Sequence, residues 1–258
     1  SYPDGAAMTT MEERQHLVGD GYGQDDAGDL SGIESTAVRH GFIQKVYGIL
    51  SVQLAVTTLV GGVVMKSAES MVHSNPGLTL TLMMLSFAAT ISVMCVFMCC
   101  PDTMRSSPTN YILLSVFTLA ESVLVGFISS SYTQESVLIV LGITTIVVLS
   151  LTLFACQTKY DFTGLAPYFF CASMVLFSFG FVLMLCSWCG LGGSPAFSTL
   201  RLVYACGGAL LFSGYIVFDT QLIVGGKHAK YQFSLDDYCM AAINLYLDII
   251  QLFMFLLE

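Results

Sequence analysis

Charge is what this sequence lacks most. Only 10% of its 258 residues are Asp, Glu, Lys or Arg, against about 25% in soluble globular proteins, whose surfaces must stay wet. With 55% hydrophobic residues and a mean hydropathy of +0.76, the chain has too little polar material to cover a water-facing surface. Basic residues are scarcer still, nine in all, and they form no positive face of the kind nucleic acid requires. Histidine occurs at positions 16, 40, 73 and 228 alone, all outside the apolar stretches. No imidazole set therefore converges for a zinc hydrolase, and none lies in the apolar stretches to activate Ser213 as a protease nucleophile. Residues 1–40 hold no apolar core of the secretory-signal type, so the first hydrophobic run after them must itself direct insertion. Nearly all of the nine cysteines lie in apolar runs, where cysteine behaves as a small hydrophobe, which argues against a secreted disulfide scaffold.

What charge there is sits unevenly. Eight of the eighteen acids fall in residues 1–34. Residues 1–40 read as a disordered acidic tail with little that could form a core, and the acids after Asp20 do not have the spacing of an EF-hand loop. Residues 41–258 read as an all-α membrane domain. Apolar windows long enough to cross a bilayer, about 20 residues each, appear near 42–65, 78–100, 110–131, 136–156, 165–189, 200–224 and 238–257. A spanning strand would need only about ten residues of alternating pattern, so these windows predict seven transmembrane helices. The bases fix an orientation. With a cytosolic N-terminus, Arg14, Arg39, Lys45, Arg105, Lys159, Lys227 and Lys230 collect on that side, and Lys66 and Arg201 lie opposite. The seventh window is interrupted by Asn244, Asp248 and Gln251, which leaves a re-entrant hairpin there as an open alternative.

Three carboxylates lie well inside the windows: Glu121, Asp219 and Asp248. A charge at bilayer depth costs at least about 2.5–3.5 kcal/mol, so each calls for a partner or a cavity. At roughly 1.5 Å per residue, Asp219 is about 9 Å in from Gly225, Asp248 about 15 Å in from Tyr238, and Glu121 about 17 Å in from Asn110. Windows six and seven form an antiparallel hairpin whose midpoint falls at Phe233 and Ser234, so the two aspartates are expected to meet, with Glu121 as a third acid if its helix packs alongside. Two carboxylates facing each other in a low dielectric cannot both stay ionised and titrate as a unit. Such a pair can share a proton, bind a hard cation such as Ca²⁺, or act as a catalytic acid and base. The bland alternative is a protonated acid hydrogen-bonded to a neighbouring helix.

Other signals are weaker. Cys186 and Cys189 have redox-type CxxC spacing without a thioredoxin-like context, which favours plain packing. Cys99 and Cys100, at the cytosolic end of the second window, are candidate palmitoylation sites. An intramembrane aspartyl protease would also use two aspartates on neighbouring helices, but it carries GxGD, and here the run is Gly214-Tyr215-Ile216-Val217-Phe218-Asp219. A seven-helix receptor has no support in the loops.

The stretches Tyr215-Ile216-Val217-Phe218-Asp219-Thr220-Gln221, Ser234-Leu235-Asp236-Asp237-Tyr238 and Asn244-Leu245-Tyr246-Leu247-Asp248-Ile249-Ile250-Gln251-Leu252-Phe253 closely resemble the C-terminal signature of the transmembrane Bax-inhibitor-motif family. Phe42-Ile43-Gln44-Lys45-Val46-Tyr47 and Lys159-Tyr160-Asp161-Phe162-Thr163-Gly164 are similar to its Lifeguard and Golgi anti-apoptotic branch. The resemblance implies a seven-helix bundle of Bax-inhibitor type in endoplasmic reticulum or Golgi membranes. It also implies a pH-sensitive calcium leak that lowers luminal calcium and restrains cell death. Asp219 and Asp248 are then the pH sensor and gate, with membrane lipid, Ca²⁺, protons and cell-death membrane proteins as partners and no cofactor or enzymatic activity. Bacterial members place a base after the second helix to latch the aspartates. The nearest base here is Arg105, and Gln251 stands where Asn is usual.

Overall fold

The computed structural model describes residues 24–225 and 231–258. Arg14, His16, Lys227, His228 and Lys230, which entered the arguments on orientation and histidine, lie outside the described residues. Two units are distinguished, residues 1–41 and 42–258. In the first, the backbone is helical from Gln24. This differs from the expectation of a disordered tail over 1–40, whose first 23 residues lie outside the described ones. Proline is absent between Pro3 and Pro76, so nothing breaks the helical backbone hydrogen bonding ahead of the first apolar window.

Eight α-helices follow in order, and no strand occurs among the described residues. They are α1 (Gln24–Ser74), α2 (Pro76–Cys99), the short α3 (Pro101–Arg105), α4 (Thr109–Ser129), α5 (Gln134–Gln157), α6 (Ala166–Trp188), α7 (Pro195–Val224) and α8 (Tyr238–Leu257). All but α3 are long and apolar enough to cross a membrane. Prolines open α2, α3, α6 and α7 within their first turns, where the missing N–H costs nothing. Ser194 caps α7, its hydroxyl accepting from the Phe197 amide at 3.2 Å, which starts that helix five residues ahead of the apolar window at 200–224.

Depth within the bundle differs sharply between helices. Of the apolar window of α8, 61% is buried, against 6% for α5 and for the segment that includes α6. α8 is the central helix. It runs unbroken from Tyr238 to Leu257, which settles the seventh window as a through-going helix rather than a re-entrant hairpin. At one end of the bundle Arg105 pairs with Asp237 (2.8 Å), and at the other Arg201 pairs with Glu258 (3.1 Å). Around α8 the core is aromatic: Phe117 packs between Phe97 and Tyr246, with ring centroids 6.2 and 6.1 Å away. α1 and α4 approach backbone to backbone at Gly61 and Gly126. A Cβ added at Gly126 would sit 2.8 Å from the Gly61 carbonyl oxygen and 2.7 Å from the Val64 side chain, so only glycine fits this crossing.

Candidate functional site

Asp219 sits near the C-terminal end of α7 and Asp248 in the middle of α8, 5% and 7% exposed. Their carboxyl groups lie within hydrogen-bonding reach of one another. Counting from the helix ends puts them at different depths, and the connection makes up the difference. The Phe233 amide donates to the Leu222 carbonyl (3.1 Å), so the chain after α7 turns back level with residue 222, and a turn closed by the Asp237 amide on the Ser234 carbonyl (3.0 Å) precedes α8. Asp248 Oδ2 is buried and has no donor among the described residues, an unusual state for a carboxyl oxygen away from water.

The end of α7 is tied to the loop between α5 and α6 by Gln221. Its amide oxygen accepts from the Phe162 amide (2.8 Å) and its amide nitrogen donates to the Tyr160 carbonyl (2.9 Å). Asp161 in turn accepts from the Thr163 amide and hydroxyl at 2.8 and 2.6 Å. Thr163 Oγ1 also accepts from the Tyr231 amide (3.2 Å). The Lys159–Gly164 stretch and the residues after α7 thus hold the helix end that carries Asp219.

Glu121 does not join this pair. It is buried on α4 and interacts electrostatically with Tyr246 of α8. Tyr246 and Asp248 are two residues apart, and at about 100° per residue their side chains leave α8 on nearly opposite sides. No cluster of three or more metal-ligating side chains occurs among the described residues, and Glu121 approaches α8 on the Tyr246 side, next to a separate polar layer. Tyr246 and Thr57 exchange a hydrogen bond of 2.8 Å, Ser122 donates to Thr57 (3.2 Å), and Gln53 donates to Thr118 (3.1 Å). This layer joins α1, α4 and α8. It was missed in the sequence, although Gln53 and Thr57, and likewise Thr118 and Ser122, carry the four-residue spacing of one helix face.

Arg105, the possible basic partner of the aspartate pair, is engaged elsewhere. Its guanidinium donates to Asp237 Oδ1 at 2.8 Å from an exposed position. That hydrogen bond and the carboxylate's charge raise its pKa further. Asp237 immediately precedes α8, and Asp248 lies eleven residues, about 16 Å, further along, so Arg105 meets the outer acid first. All nine cysteines are thiols, Cys186 and Cys189 included, and no disulfide closes the CxxC segment.

Seven membrane-length helices, six of them packed around a polar, carboxyl-bearing seventh, define an integral multi-pass membrane protein. Residues 39–258 match the family described as inhibitor of apoptosis-promoting Bax1, and the chain belongs to this Bax inhibitor family. It is 33% identical to Protein lifeguard 3 of Homo sapiens over 249 residues, covering 96% of this chain and 74% of the relative. Against Protein lifeguard 3 of Mus musculus it is 34% identical, over 86% and 69% of the two chains. Against Protein LIFEGUARD 2 of Arabidopsis thaliana it is 35% identical, over 87% and 88%.

Proposed function

We propose that this protein is a calcium-permeable leak pathway of Golgi or endoplasmic-reticulum membranes, inserted with its N-terminus in the cytosol, that lowers luminal calcium and so restrains cell death. One observation carries the reading: two carboxyl groups face each other inside an apolar bundle, and one of their oxygens has no donor. Calcium is the cargo. Two carboxylates alone fall short of the 6–8 oxygens Ca²⁺ prefers, so the pair meets a passing ion that keeps part of its water and does not retain it.

Protons and calcium compete for the same oxygens. While the pair shares a proton, α7 and α8 stay joined. When the proton leaves, two like charges face each other in a low dielectric, which pushes the helices apart and attracts a cation. Because Arg105 is engaged with Asp237, no latch from that residue opposes these two effects, and they act in the same direction. Calcium flux should rise with pH.

The test is calcium flux into proteoliposomes across pH for wild type, Asp219→Asn and Asp248→Asn. Wild-type flux is expected to rise with pH and each variant to flatten the response. An unchanged pH response in both variants removes the pair from the mechanism. Cleavage of a membrane peptide that either substitution abolishes would point instead to aspartyl protease chemistry. A wild type that passes no calcium while still binding cell-death membrane proteins would make it a scaffold.

A further inference from the structure

The polar layer and the aspartate pair leave one large feature unused. A cleft of about 450 Å³ opens between α1 and α5, floored by Val125 of α4 and by Ile249 and Phe253 of α8. That volume falls in the range of about 300–1,000 Å³ usual for small-ligand sites. Its lining on α1 runs from Leu54 to Lys66, about 18 Å of helix, which matches roughly fifteen single bonds of an extended chain at about 1.2 Å each.

Apart from Ser129, Gln134 and Lys66, the wall is chemically dry. Thr58, Thr144 and Thr145 each donate to a carbonyl of their own helix at 2.8 Å, and Thr57 is bonded to Gln53 and Tyr246. Their hydroxyls are thus satisfied within the wall, which suits hydrocarbon better than water or a hydrated ion. The cleft is also open sideways at membrane depth: Leu138 and Leu149 on its α5 rim are 67% and 60% exposed. Lys66 lies at its outer end, on the side of the bundle where Arg201 pairs with Glu258. Among the described residues the ion pairs are Arg105–Asp237 and Arg201–Glu258, and neither involves Lys66.

We infer that the cleft holds one acyl chain of an anionic membrane phospholipid, with the head-group phosphate at Lys66 and the second chain remaining in the bilayer. An apolar slot, a lateral opening and a single cation at membrane-surface height fit that occupant, and the slot has room for one chain but not two. The inference is independent of any ion passing the aspartate pair.

The test uses the full chain in nanodiscs containing either phosphatidylglycerol or phosphatidylcholine with the same diazirine-bearing acyl chain, with crosslinks mapped by mass spectrometry. Wild type should be labelled in the cleft at least fivefold more by the phosphatidylglycerol probe. Gly62→Leu should cut that labelling to the level found on the outer face of α6, because a side chain at Gly62 projects into open space within the cleft and meets nothing within 4 Å. Thr145→Phe fills the same space from α5 and serves if Gly62→Leu does not fold, with folding checked by the melting temperature. Lys66→Gln should equalise the two probes, and Lys66→Arg should restore the difference. Equal labelling of wild type by both lipids overturns the inference, as does cleft labelling that both filling variants leave intact. So does labelling by a diazirine fatty acid but not by the phospholipid.

Discussion

The helices that look most like membrane spans are the ones that do least inside the protein. α5 and α6 are nearly uninterrupted apolar runs, and few of their residues are fully buried. α8, broken by Asn244, Asp248 and Gln251, is the most buried of the seven. In a bilayer, lipid tails are as apolar as leucine, so apolarity does not draw a helix inward. Shape, small residues and hydrogen bonds do. Polar interruptions in a membrane-length window therefore mark the interior.

The comparison makes graded predictions. The largest effect should come from Tyr246→Ala, which empties a fully buried site against Phe117 and removes the bond that ties Thr57 to α8. A loss of about 3 kcal/mol is expected, read by denaturant titration in detergent. Phe177→Ala, on α6 with its ring 71% exposed, should stay within about 0.5 kcal/mol of wild type. Equal losses would mean that α8 is not the core.

Gly126→Leu should cost about 1–3 kcal/mol through overpacking against Val64. Gly142→Leu on α5, where an added Cβ meets nothing within 4 Å, should be neutral in the same titration. Smaller again is Thr57→Val, which removes the hydroxyl linking α1 to α8 and should cost about 1 kcal/mol. Thr145→Val, which loses only a bond within its own helix, serves as its counterpart on α5, and a larger loss there would contradict the account of the polar layer. The smallest effect should be that of Arg105→Gln. Its pair is exposed, and exposed pairs add little, so stability and the pH response of calcium flux should both match wild type. A flattened pH response would bring Arg105 back into the gate.

The sequence was most informative where one-dimensional rules apply. Seven windows mapped onto seven helices because length and hydropathy are local properties. The meeting of Asp219 and Asp248 followed from hairpin geometry, since a short antiparallel connection places residues on either side of its midpoint at one level. Glu121 was misplaced because depth alone was counted. Its helix does bring it close to α8, but to the Tyr246 side, and which face of α8 meets which neighbour is a three-dimensional fact. Arg105, a possible partner by position alone, pairs with Asp237 at the surface, and linear order does not rank two acids as partners. The Gln53, Thr57, Ser122 and Tyr246 layer had a readable spacing. That spacing alone does not mark a contact between helices, because hydroxyls in membrane helices commonly bond back to their own turn, as Ser51 and Ser92 do here.

The unbroken course of α8 has one more consequence. Seven is an odd number of crossings, so Glu258 emerges beside Arg201 on the face away from the turn that joins α7 to α8. Whichever way the bundle is inserted, enzymes that glycosylate or clip the chain at Glu258 belong to one compartment, and those that reach the Lys159–Gly164 loop belong to the other. A glycosylation tag placed after Glu258 and the same tag placed in that loop should never be modified in the same molecule.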